Sequence, residues 1–280
     1  MSLAGAGPQA SVTPDLLRSP LASGARGPLL SVRAVSVRFG GIVALDGVSF
    51  DVHIGEIVGL IGPNGAGKTT LFNCLSRLYD CEGGSIVFDG HPLQGLSRHR
   101  IAELGIGRTF QNLALFRSMS VLQNVLLGGH CRTRGGFLVN ALRLPLVARE
   151  ELRLQEQAHH LIGLLDLGAV VARRVADLPF GLQKRVELAR ALASQPKLLL
   201  LDEPAAGLNH EELEGLMALI RRVRDGLQVT VLLVEHHMNL VMRISDRVVA
   251  LDFGRKIAEG TPAEVQSNPE LIRAYLGVAG

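Results

Sequence analysis

Residues 62–69 read G-P-N-G-A-G-K-T and follow directly on the apolar run I-V-G-L-I at 57–61. The spacing G-x-x-x-x-G-K-[ST], set between a strand and a helix, is a phosphate-binding arrangement with a physical mechanism. Gly62, Pro63, Asn64, Gly65, Ala66 and Gly67 make a bend whose backbone N–H groups converge on one point and cradle phosphate oxygens. A helix starting near Lys68 adds the partial positive charge of its N-terminus. Lys68 reaches the outer phosphates, the Thr69 hydroxyl can ligate Mg²⁺, and Thr70 completes the set. The chemistry implied is nucleotide binding.

Other candidates gain meaning from this loop. Residues 198–203 read L-L-L-L-D-E, a buried strand ending in two carboxylates. Ligands of α/β sheets sit at the carboxyl ends of strands. Asp202 is therefore placed to hold Mg²⁺, directly or through water, and Glu203 to polarise an attacking water. Residues 229–234 form another apolar run, ending in Glu235-His236-His237. A histidine there could reach a γ-phosphate. Gln111 closes the stretch R-T-F-Q at 108–111, and a neutral amide can contact both Mg²⁺ and water. Taken singly, the acidic pair reads as a loop start, the histidines as a surface turn, and Gln111 as nothing.

The elements that must position these groups follow from periodicity. Residues 30–39 and 48–54 alternate apolar and polar, as half-buried strands do. Residues 57–61 read as a fully buried strand, 71–78 as helix, and 85–88 and 105–110 as further strands. From 113 to about 185 helical spacing takes over, with Leu154, Ala158, Leu161, Ile162 and Leu165 on one stripe of a helix over 150–165. Strand patterns return at 197–201, 229–234 and 247–251. Between them 211–225 is an amphipathic helix, with Leu213, Leu216, Met217 and Ile220 on one face and Asn209 placed to cap it. Strands alternating with helices imply a parallel sheet covered on both sides.

Composition narrows the classes. Of 280 residues, 47% are hydrophobic, ample for a core. No apolar stretch reaches the roughly 18–20 residues of a membrane span, so any membrane role must pass through a partner. The net charge is +3, Trp is absent and aromatics are 4%; neither a nucleic-acid footprint nor a base-stacking platform is expected. Cys74, Cys81 and Cys131 contain no C-x-x-C pair, which fits a reducing compartment. Residues 1–28 are rich in Gly, Ala, Ser and Pro and lack a secretory layout, and read as a disordered extension. The basic residues Arg132, Arg134, Arg143 and Arg149 read as a solvated surface or as neighbours of anionic lipid headgroups.

The order of phosphate loop, Gln111, L-P-F-G-L-Q at 178–183, L-D-E-P at 201–204 and Glu235-His236 resembles the ATP-binding subunit of an ABC transporter, over nearly everything after residue 30. More narrowly, R-T-F-Q at 108–111, D-E-P-A-A-G-L-N at 202–209, L-V-M-R-I-S-D-R at 240–247 and the tail from 260 to 277 resemble the ATPases of branched-chain amino acid importers. The resemblance implies an α/β fold: a P-loop NTPase (RecA-like) parallel sheet core, an antiparallel β subdomain and an inserted α-helical subdomain. It places the ATPase domain at 29–280, with the core in 29–112 and 186–255, the helical subdomain in 113–185 and a C-terminal extension in 256–280. The cofactors implied are ATP and Mg²⁺, with Thr69, Gln111 and Asp202 about the metal. Phe39 matches the aromatic that stacks on adenine, Gln111 the link from γ-phosphate to transmembrane subunits, Glu203 the general base and His236 the switch histidine.

In this family two ATPase subunits sandwich two ATPs, and Leu178, Pro179, Phe180, Gly181, Leu182 and Gln183 match the signature that completes the partner's site. The resemblance also implies transmembrane permease subunits, an external solute-binding protein acting indirectly, and a peripheral place on the cytoplasmic face of the bacterial inner membrane. This signature departs from the usual L-S-G-G-Q at Pro179 and Leu182, and a helix is expected only from about 183 to 193. The worn signature beside a complete phosphate loop favours a heterodimer with a related ATPase over a homodimer. Open alternatives are an ATPase for another small solute (amide, urea or lipid), a soluble ABC ATPase acting on DNA or ribosomes, and a non-hydrolysing nucleotide-binding scaffold.

Overall fold

A computed structural model describes residues 27–109, 113–130 and 145–276. The extension expected at 1–28 therefore lies outside the described residues except for Gly27 and Pro28. Gln111, Cys131 and the basic residues Arg132, Arg134 and Arg143 lie outside them too.

The first half runs β1 (Leu30–Phe39), β2 (Ile42–Val52), β3 (Ile57–Ile61), α1 (Lys68–Leu75), β4 (Gly83–Phe88), β5 (His91–Pro92), α2 (Arg98–Leu104) and β6 (Ile106–Arg108). Three helices follow: α3 (Val121–Gly129), α4 (Pro145–Leu164) and α5 (Phe180–Ala193). The rest is β7 (Leu198–Asp202), α6 (His210–Leu227), β8 (Thr230–Val234), α7 (Met238–Ile244), β9 (Arg247–Asp252), β10 (Arg255–Gly260), α8 (Pro262–Gln266) and α9 (Pro269–Leu276).

Two sheets result. An antiparallel sheet has the order β2-β1-β4-β5, and a second has the order β10-β9-β3-β8-β7-β6. In the second, β9 through β6 are parallel and only β10 is antiparallel to its neighbour. Strands β3, β7 and β8 are buried at every position, as unbroken aliphatic runs require when both faces of a sheet are covered. Side chains alternate across the sheet. Ile57, Ile61, Leu199, Leu201, Val231 and Leu233 face the helical block. Val58, Leu60, Leu198, Leu200, Leu232 and Val234 face α1 and the antiparallel sheet.

The helical block is fastened to this sheet through α5. Its Val186, Ala189 and Leu192 are buried in the same core as β7. Helix α3 crosses α5 at Gly128, where an added Cβ would meet the Arg190 carbonyl at 2.1 Å. Asp166, beyond α4, accepts from Arg222 of α6 at 2.7 Å and from Arg185 of α5 at 3.4 Å; both pairs are solvent-facing and individually weak.

Several local expectations are refined. Asn209 does cap α6, in a reciprocal box with Glu212. The strand expected at 105–110 shrinks to β6, because α2 occupies the residues before it and ends at Gly105, with φ of 102°. Helix α5 begins at Phe180, not near 183, because Pro179 takes the N-cap and its carbonyl receives the amides of Leu182 and Gln183. Proline, with φ preset and no N–H to satisfy, suits that entry. Strand β10 carries the sheet past residue 255. Cys74 and Cys81 are spatial neighbours: a hydrogen bond between their thiols, with burial second, pushes the Cys74 thiol pKa up.

The close crossing at Gly128 yields a prediction. Gly128→Ala should force α3 away from α5 and destabilise the chain by about 1–3 kcal/mol. Denaturant unfolding measures this; an unchanged midpoint would show that the two helices can part without cost.

Candidate active site

Strand register brings the candidates together. Leu60 of β3 pairs with Val234 of β8, and Val234 with Asp202 of β7. Three adjacent parallel strands thus end in one row. Beyond that row lie the phosphate loop, then Glu235 and His236, then Glu203. This is the carboxyl edge of the sheet, where backbone groups and following loops are free to meet a ligand.

The phosphate loop has the backbone its glycines foretell. Gly62 has φ of 151° and Gly67 of 99°, and a Cβ on Gly67 would lie 2.6 Å from the Ala44 carbonyl. Helix α1 starts at Lys68 with Gly67 as N-cap. Asn64, Gly65 and Thr69 face solvent, Pro63 and Thr70 are half-buried, and Ala66 packs inward. Lys68 is buried, and its Nζ donates to the carbonyls of Gly62 at 2.6 Å and Pro63 at 2.9 Å. Burial pulls its pKa below the ordinary lysine value, and the nearby Glu203 carboxylate pulls it partly back up.

Asp202 is 3% exposed and ion-paired: its Oδ2 accepts from Arg108 Nη2 at 2.8 Å. Arg108 Nη1 also donates to Asn73 Oδ1 at 2.9 Å, Ser76 Oγ at 3.0 Å and the Phe72 carbonyl at 3.3 Å. The guanidinium thus binds the last turn of α1, where a cation is favoured, to the carboxylate at the end of β7. A buried carboxylate without such a partner would be strongly destabilising. The Asp202 amide donates to Thr109 Oγ1 at 3.3 Å, which fixes the same strand end from the β6 side. Glu203 follows with φ of 47°, and its N–H donates to the Val234 carbonyl at 2.9 Å. A left-handed glutamate costs about 1–3 kcal/mol, and here it turns the chain sharply out of the sheet.

Glu235 is completely buried and joins two loops. Its Oε1 accepts the Ala205 amide at 2.7 Å, and its Oε2 accepts the amides of His236 at 3.1 Å and His237 at 3.4 Å. The His236 ring, half exposed, stands 4.7 Å from that of His237. Sequence reading passed over both Arg108 and Glu235. The available signal for each was a charged residue directly at the end of an apolar strand run.

Phe39 ends β1 half exposed, and its ring meets Tyr79 edge-on at 5.1 Å. The same hairpin touches the phosphate loop through Ala44. The 178–183 segment lies at the entry to α5. Leu178 is buried, while Pro179 and Phe180 are exposed. The Phe180 ring lies 3.0 Å from where a Cβ on Gly207 would sit, and the Lys184 ammonium is 5.6 Å from its centroid. Gly181 faces Glu212, Gln183 Nε2 donates to the Leu178 carbonyl at 2.8 Å, and Leu182 packs partly buried against the core. Gln111 is outside the described residues, two positions beyond Thr109.

The donor set fits a hard, oxygen-loving cation. Among the described residues no group of three or more His, Cys, Asp or Glu could hold a metal alone. Mg²⁺ is ordinarily held by one or two protein oxygens, with phosphate oxygens and water completing six. Asp202 and the exposed Thr69 hydroxyl match that demand.

Comparison with known proteins shows the family. The family model described as ABC transporter matches residues 45–206, and that of the branched-chain amino acid ATP-binding cassette transporter matches 255–280. The high-affinity branched-chain amino acid transport ATP-binding proteins BraF of Pseudomonas aeruginosa and LivG of Salmonella typhimurium are each 44% identical over 252 residues. Those matches cover 90% of this chain and 99% of each relative. A crystal structure of an ATP-binding cassette of an ABC transporter in its ADP conformation superposes with a TM-score of 0.78 at 29% identity, covering 90% of this chain and all of that one. The chain belongs to the ATP-binding cassettes of ABC transporters, in the branch of the branched-chain amino acid transport ATP-binding proteins.

Proposed function

We propose that this chain is the ATP-hydrolysing subunit that powers uptake of branched-chain or related amino acids through partner permeases. Its place would be the cytoplasmic face of a bacterial inner membrane, where a solute-binding protein acts on the complex from outside. Among the described residues no helix is long and apolar enough to cross a membrane. The observation that carries the reading is the common row of strand ends, which sets the phosphate loop, the acidic pair and His236 at one edge. The amino acid assignment draws on the relatives and on the second family model at 255–280.

The residues divide the work as follows. The amides of 64, 65 and 67–70 and the Lys68 ammonium bind the phosphates and offset the charge that shifts toward the leaving group. Phe39 offers a ring face to the adenine. Thr69 and Asp202, with Gln111, would hold Mg²⁺, and Arg108 keeps the Asp202 carboxylate aimed. When bound, that ion supplies charge neutralisation across the phosphates. Glu203 takes a proton from water as the water oxygen bonds to the γ-phosphorus and the bond to the β-bridging oxygen breaks. His236 holds the γ-phosphate from the loop just beyond β8. The 178–183 segment would close the site of a second ATPase subunit.

That subunit is proposed to be a different chain. Pro179 has no N–H or hydroxyl to give a phosphate, and Leu182, packed partly buried against the core, brings no polar side-chain group. The phosphate loop and acidic pair, by contrast, are complete.

Three outcomes are expected. Lys68→Ala should abolish ATP binding measured by calorimetry; near-wild-type affinity with an intact fold would remove the loop from the site. Glu203→Gln should keep ATP binding and cut single-turnover hydrolysis by about 10²–10⁴-fold, and a change under about threefold would move the general base elsewhere. Reconstitution with permeases should need a second, related ATPase for full ATP-driven transport. Full transport by this chain alone would rule out the heterodimer.

A further inference from the structure

Gly62, the first residue of the phosphate loop, is held on both sides. Its carbonyl accepts from Lys68 Nζ at 2.6 Å. Its N–H donates to the Tyr275 hydroxyl at 2.9 Å, across 213 residues of chain. Tyr275 belongs to α9, near the end of the described chain. The helix is fixed for this contact. Asn268 Oδ1 accepts the amides of Glu270 at 2.8 Å and Leu271 at 3.4 Å. Leu271 is buried, and a residue four positions on shares its face. That residue is Tyr275. The residue is 38% exposed overall, yet partial desolvation raises its hydroxyl above the ordinary tyrosine pKa, so it stays a neutral partner throughout the physiological range.

We propose that Tyr275 is a positioning residue of the nucleotide site, through which the C-terminal segment sets the entry of the phosphate loop and the aim of Lys68. Gly62 leaves the sheet at β3, and an added Cβ would meet the Leu251 carbonyl at 2.2 Å, so the peptide has little room to readjust. The hydroxyl fixes the Gly62 amide, the carbonyl of the same residue receives the Lys68 ammonium, and that ammonium faces the phosphates. The N–H used lies at the foot of the loop, apart from the amides of 64, 65 and 67–70 that the ligand would meet, while the Ala66 amide closes the loop on the Pro63 carbonyl at 3.2 Å. Tyr275 touches no reacting atom itself. The proposal rests on the reading of 62–70 as a nucleotide site, and it gives the C-terminal segment a task in ATP binding.

Tyr275→Phe removes the hydroxyl and keeps the ring. Calorimetry on the full chain with ATP, ADP and AMP, beside Lys68→Ala as control, tests the idea. Tyr275→Phe should weaken ATP and ADP by about 3–10-fold, the scale of one neutral hydrogen bond, and leave AMP within about twofold. The thermal midpoint of the unliganded chain should stay within about 2 °C, and the Gly62 amide should exchange with solvent faster. Equal weakening of all three nucleotides with a falling midpoint would make Tyr275 merely structural and overturn the proposal. So would ATP affinity unchanged in Tyr275→Phe but lost in Lys68→Ala. Affinity unchanged in both would overturn the nucleotide-site reading along with it.

Discussion

The register of β3, β8 and β7 is the constraint on which the rest depends. A shift of one residue in either pairing would move a carboxylate or a loop by about 3.3 Å along the strand and turn every side chain to the opposite face. The register is held because both faces are buried: odd positions of β7 belong to one core and even positions to the other. Each fully buried aliphatic side chain stabilises the fold by roughly 1.5–3 kcal/mol. A slip would not remove that burial but would mismatch both cores at once. The site's precision is therefore a product of packing on two sides of one sheet.

Around that row the chain places charge where charge is expensive, and answers each instance with a partner. Asp202 has Arg108, and Glu235 has three amides from two loops. Lys68 is answered by two carbonyls and by Glu203. Buried ion pairs contribute modestly to stability, because desolvation offsets most of their attraction, but losing one member is severe. These contacts fix geometry more than they raise stability. The left-handed Glu203 belongs to the same pattern: local strain is tolerated where direction matters.

What the sequence disclosed, and what it withheld, follow from distance along the chain. The phosphate loop, the acidic pair after four leucines and the Asn209 cap each lie within a few residues, so type and spacing sufficed. The family likeness then supplied what no spacing dictates: the role of Phe39, and the choice of His236 over His237. Arg108 acts on Asp202 across 94 residues and Glu235 on Ala205 across 30. Tyr275 reaches Gly62 across 213. Only the fold joins such pairs. The start of α5 differs from expectation for a different reason: Pro179 suits a helix entry by type, but only the structure shows its carbonyl closing the first turn at Leu182 and Gln183.

Glu235 has a mechanical meaning besides its electrostatic one. With one oxygen on the amide after the acidic turn and the other on the amides of the histidine loop, it rivets two levers to a common pivot. The segment at Ala205, on the way to Gly207 and the Phe180 ring, is joined to His236 through a single buried carboxylate. The loop that meets the 178–183 segment and the loop that bears the histidine thus share one buried anchor.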